Sequence, residues 1–184
     1  MKSPRFLLSV VLLSLSTVAF AQSAATPAPS DAQKSFDQLK TLAGVWTGPL
    51  TVDPPNPDWT RDPLWVSMRV TSRGNALVHE MKKPGTPDDP TKDDPITLLY
   101  MDNDRLTLTH YCDAGNRPRM VAKASPDGKT VEFEFVDVAG STQYGNMHHA
   151  VFTMIDANHH TEDWTYLMPG DKPVRGHMDL QRVK

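Results

Sequence analysis

Alternation along extended segments places several chemically capable side chains on otherwise apolar faces. His79 alternates with Leu77 and Met81, His110 with Leu106, Leu108 and Cys112, and His148 with Ala150, Phe152 and Met154. Arg119 opens a further segment that carries Met120, Ala122 and Ala124. Grouped at one place, three imidazoles, a thiol and a guanidinium support three chemistries. His110, His148, Arg119 and His79 can orient an amphipathic small molecule in an apolar cavity. Neutral imidazole and thiolate suit zinc, copper or haem iron, with His110, His148 and Cys112 as the metal ligands. His110 or His148 can also act as the general base of a small isomerase or hydrolase. The sequence contains no G-x-S-x-G, H-E-x-x-H, P-loop, Rossmann or C-x-x-C pattern, so binding of a small molecule is the leading expectation and enzymatic activity has little positive support.

Other polar residues have blander readings. Glu162 shares a face with Trp164 and Tyr166 and reads as a hydrogen-bonded structural carboxylate near the closed end. His159 and His160 flank a tight hairpin, and His177 is out of phase with Met178 and Leu180, so all three read as turn or surface residues. The Asp88-Asp89 and Asp93-Asp94 pairs lack the spacing and glycine of a calcium loop and read as a solvated, proline-rich connection.

The elements that must hold these residues are almost all strands. Ser30 followed by Gln33 fits a capping box, and Phe36, Leu39 and Leu42 share a helical face, which predicts one short helix over Asp31 to Thr41. Beyond Gly44 no stretch keeps helical period. Ten strands are predicted, over residues 45–52, 64–72, 76–82, 96–101, 105–112, 119–125, 130–137, 147–155, 160–167 and 174–183. Tight hairpins at Arg73-Gly74-Asn75, Asp102-Asn103-Asp104, Pro126-Asp127-Gly128-Lys129 and Asp156-Ala157-Asn158 alternate with longer connections, such as Asp53 to Pro63 and Lys83 to Pro95. In an up-and-down meander this alternation makes one end tightly turned and the other a loop-rich mouth. An even strand number lets the first and last strands pair and removes the exposed edges. The expected fold is therefore an all-β, ten-stranded antiparallel barrel whose N-terminal helix plugs the tight end, with an open sandwich as the competing architecture. Chain direction then puts His79, His110, Cys112, Arg119 and His148 in the mouth layer, with His110 and His148 approaching each other.

The ends and the composition bound the setting. Lys2 and Arg5, the apolar run Phe6 to Phe20 and the Ala19-Phe20-Ala21 site form a cleavable signal peptide over residues 1–21. The run is too short for a transmembrane anchor and no cysteine lies nearby for lipidation, so a periplasmic or secreted protein is expected. Residues 22–30 read as a flexible lead and 31–184 as one barrel domain. Removing Lys2 and Arg5 takes the net charge from −3 to −5, which gives no support for nucleic-acid binding. Cys112 is the sole cysteine, so stability must come from the sheet and its core.

The segment Leu42-Ala43-Gly44-Val45-Trp46-Thr47-Gly48 resembles the start of lipocalin-like barrels, where a short helix leads into a G-x-W on the first strand. The likeness extends to the calycin group broadly, including ten-stranded nitrobindin-like barrels. Residues 109–120, Thr-His-Tyr-Cys-Asp-Ala-Gly-Asn-Arg-Pro-Arg-Met, and 159–165, His-His-Thr-Glu-Asp-Trp-Thr, are similar to an uncharacterised family of exported bacterial proteins. The resemblance implies small-ligand binding in the barrel and carries over no catalytic residues. It also implies a late arginine across the tryptophan, a position Arg182 could fill over Trp46.

Overall fold

A computed structural model describes residues 28–82, 94–124 and 128–183 of the chain. Residues 1–21, read above as a signal peptide, the aspartates at 88, 89 and 93, and part of the 126–129 turn lie outside the described residues. Ser30 caps helix α1 (Asp31–Lys40), its hydroxyl accepting from the Gln33 amide at 3.2 Å. Only this half of the expected capping box forms, because the Gln33 side chain donates to Asp37 instead. Phe36, Leu39 and Leu42 are buried as expected, and α1 packs against β5, β6 and β7 at the tightly turned end.

The strands are β1 (Gly44–Gly48), β2 (Leu50–Asp53), β3 (Leu64–Thr71), β4 (Ala76–Lys82), β5 (Ile96–Asp102), β6 (Arg105–Tyr111), β7 (Arg117–Ala124), β8 (Thr130–Ala139), β9 (Asn146–Asp156), β10 (His159–Met168) and β11 (Lys172–Arg182). A short helix, α2 (Pro57–Thr60), lies in the connection between β2 and β3. β1 and β2 are two halves of one strand interrupted at Pro49, whose nitrogen cannot donate to a ladder. Both halves pair with β11, and β1 also pairs with β3, so the meander closes into an antiparallel barrel of ten strands. Gly48 is needed at the break because a Cβ there would lie 1.8 Å from the Asp179 carbonyl oxygen.

The G-x-W segment has a physical basis. Gly44 has φ +143°, and a side chain on it would meet the Arg182 guanidinium at 2.5 Å. Trp46 is fully buried, and its indole N–H donates to the Leu42 carbonyl at 2.7 Å. Arg182 stacks over the Trp46 ring at 4.1 Å, as the resemblance implied. Its guanidinium also donates to the carbonyls of Ala43 at 2.7 Å, Thr41 at 3.0 Å and Ala157 at 3.0 Å. One side chain thus joins the helix end, the first strand and the β9–β10 hairpin.

The interior is a packed core in its middle and lower layers. Trp46, Leu77, Leu99, Leu106, Leu108, Phe133 and Phe152 are all below 2 % exposed. An apolar interior was expected, but it is filled by side chains at these depths, as in other small barrels. The inward face of β3 ends at Met68, since Val70, the next residue in phase, is exposed.

Candidate functional site

Two features concentrate chemistry: a charged cluster inside the core and a cavity at the mouth. Within the core, β10 alternation sends His160, Glu162 and Trp164 inward together. The Glu162 carboxylate accepts from His160 Nε2 at 3.0 Å, from Trp164 Nε1 at 2.9 Å and from His79 Nε2 on β4 at 2.9 Å. With Nε2 donating in both rings, each Nδ1 is the remaining ring nitrogen, and both Nδ1 atoms are buried without a hydrogen-bond partner. His160 also meets the Trp46 ring edge-on at 4.2 Å, which links the cluster to the G-x-W segment. Burial alone would raise the Glu162 pKa, but the two imidazoles outweigh it and hold the carboxyl well below the usual range.

His110 adjoins this cluster. Its ring lies 5.8 Å from that of Trp164, and its Nδ1 shares a hydrogen bond of 2.8 Å with the Thr97 hydroxyl. Burial, with His79 nearby, lowers its pKa from 6.5 to about 4. The folded chain therefore keeps His110 neutral over a range in which the unfolded chain takes up a proton. Stability should fall as pH drops from about 6.5 to about 4, by roughly 3 kcal/mol in total from this residue. Glu162, with its depressed pKa, contributes stability that is present above its ordinary value of 4.5 and is lost progressively below it. Melting curves across this range should show the upper part of the acid loss flattened in His110→Gln, and an unchanged slope in that variant would overturn the assignment.

The second feature is a cavity of about 350 Å³ at the loop-rich end. Leu50, Trp59, Leu64, Met81 and Pro95 supply its apolar walls. Asp58, Asp62, Asp94, Asp113 and Lys82 supply its polar lining. Trp59 is on α2 and half exposed, whereas Leu64 is buried at the start of β3.

The placement of the sequence-derived candidates is mixed. His79, His110 and His148 do lie on inward faces, with Leu77, Leu108 and Phe152 buried beside them. Yet His110 and His148 have different neighbours: His148 stacks on Phe135 at 4.3 Å, while His110 is held by Thr97 and Trp164. None of the three histidines is among the residues lining this cavity. Arg119 is also absent from the cavity lining. It points outward, out of phase with buried Pro118 and Met120, and pairs bidentately with Asp137. Cys112 falls just past β6 in a turn closed by its amide on the Asn116 carbonyl at 3.0 Å, and burial raises its thiol pKa, which disfavours the thiolate a metal would need. Among the described residues no three His, Cys, Asp or Glu side chains are placed to hold a metal ion, so His110, His148 and Cys112 do not form the expected set.

His160 was missed because the sequence reading assigned it to a turn, although it keeps phase with Glu162 and Trp164. The meeting of His79 with Glu162 was missed because strands in a closed barrel are tilted and staggered. Rung by rung, His79 leads through Met68 to Gly44, whereas Glu162 leads through Met178 to Leu50, six residues further along the same interrupted strand. Distance from a strand end therefore misjudges depth.

Closed antiparallel strands, a plugging helix and the Trp46–Arg182 stack define a lipocalin-like barrel. In solved structures the fold recurs in Rv2717c from M. tuberculosis, 13% identical, with a TM-score of 0.54 over 82% of this chain and 98% of that one. A protein with unknown function from the DUF3598 family of Nostoc punctiforme is 9% identical, with a TM-score of 0.48 over 79% of this chain and 49% of its own. At these identities the likeness to Rv2717c concerns the fold alone. No protein-family model and no curated protein sequence matches the chain. Among the described residues no helix is long and apolar enough to cross a membrane.

Proposed function

We propose that this chain is an exported barrel that binds a small apolar or amphipathic molecule at its loop-rich mouth. The observation that carries the reading is the cavity of about 350 Å³ walled by Leu50, Trp59, Leu64, Met81 and Pro95, a size and lining suited to a small ligand. The packed layers beneath it form a rigid floor, since Trp46, Phe133 and Phe152 leave little space deeper in the barrel. Export is supported by Lys2, Arg5, the apolar run to Phe20 and the Ala19-Phe20-Ala21 site, and likeness to exported bacterial proteins at residues 109–120 and 159–165 agrees with it.

Native mass spectrometry of protein recovered from the periplasmic fraction of its host tests both parts. The mature chain should begin at Gln22 and carry a bound small molecule that is lost on denaturation. Trp59→Ala should weaken binding about tenfold through loss of an aromatic wall, while the melting point of the free protein stays within about 2 °C because the ring is half exposed. A full-length mass, or a ligand-free protein that no amphiphile stabilises, would contradict the reading.

A further inference from the structure

The polar lining of the mouth is unbalanced in charge. Four aspartates face a single cation among the described lining residues, Lys82, and that ammonium is already engaged by Glu80 at 2.8 Å and Asp94 at 3.5 Å. Asp94 is the more telling group. Its side chain is 3% exposed, it lines the cavity, and its Oδ2 makes no hydrogen bond, held only by a long ion pair to the Lys82 ammonium at 3.5 Å while that ammonium sits closer to Glu80. A buried carboxylate oxygen whose only partner is so long an ion pair gains from a second donor at hydrogen-bond distance. Asp62 lines the same cavity without an ion-pair partner among the described residues, while Asp58 is paired with Arg61 at 3.3 Å. Trp59 stands beside them, and the face of an indole attracts cations and not anions.

Resting on the mouth-binding reading, we propose that the site selects cationic amphiphiles, with the apolar part against Leu50, Leu64 and Met81 and an ammonium or guanidinium head among Asp62, Asp94 and Trp59. The head donates hydrogen bonds to Asp94 Oδ2, and the excess carboxylate charge attracts cations while repelling anions of the same chain length.

Isothermal titration with three probes of equal chain length, below their micellar concentrations, tests the selection: dodecylammonium, dodecanoate and a neutral tetraethylene glycol dodecyl ether. Dodecylammonium should bind at least about tenfold more tightly than the neutral probe at low salt, and the margin should shrink as salt rises. Asp62→Asn should narrow the margin, and adding Asp94→Asn should abolish it, the loss falling mainly on dodecylammonium. Should the double variant fail to fold, Asp62→Asn and the salt series still decide the matter. Equal binding of the cationic and neutral probes, or tighter binding of dodecanoate, overturns the selection and leaves the mouth-binding reading standing. Binding of none of the three overturns both.

Discussion

Replacing Glu162 with Leu should lower the melting temperature by about 10 °C, equivalent to roughly 3–5 kcal/mol. The fully buried Glu162 carboxylate takes hydrogen bonds from His79, His160 and Trp164, and all three donors lose their acceptor at once. Leucine fills much of the volume but accepts nothing. Glu162→Gln retains one oxygen acceptor and should fall between the two. Adding His79→Leu to Glu162→Leu should recover part of the loss, because it removes one of the stranded donors. A Glu162→Leu melting point within about 2 °C of the parent would show that the cluster contributes little to stability.

Arg182→Ala should be nearly as damaging, with a loss of about 2–4 kcal/mol, because hydrogen bonds to charged groups are individually among the stronger ones. Arg182 donates to the carbonyls of Thr41, Ala43 and Ala157 while stacking on Trp46, so its removal frees the end of α1 and the β9–β10 hairpin together. Hydrogen exchange should report this locally, as reduced protection of the α1 amides before global unfolding. Arg182→Lys should restore little, since one ammonium cannot match a planar guanidinium that both stacks and reaches three carbonyls. Unchanged α1 protection in Arg182→Ala would contradict the role.

Local pattern carried most of the architecture. Period-two runs located the strands and the Ser30 cap located α1, because these signals come from neighbours in sequence. Alternation also placed His79 and His110 on the inward face, where both are buried. It failed where the answer depended on how distant strands are staggered, so His79 and Glu162, read as lying at opposite ends, proved to be in contact. Arg119 illustrates a different failure. Met120 defined the inward phase of β7, and the adjacent arginine was necessarily on the outer face, where Asp137 meets it. The mouth cavity was illegible because its walls come from separate connections and strand ends, Trp59 from α2, Leu64 from β3, Met81 from β4 and Pro95 before β5. None of these residues has a spacing relation to the others that a sequence displays.

A crystal structure of the mature protein with a bromine-tagged dodecylammonium bound addresses the mouth-binding reading most directly, because the anomalous signal of bromine locates the tail independently of any fitted ligand. A single strong peak among Leu50, Leu64 and Met81, with the head toward Asp94, is the expected result. A peak confined to the outer surface of the barrel, or none there at saturating ligand, would contradict it.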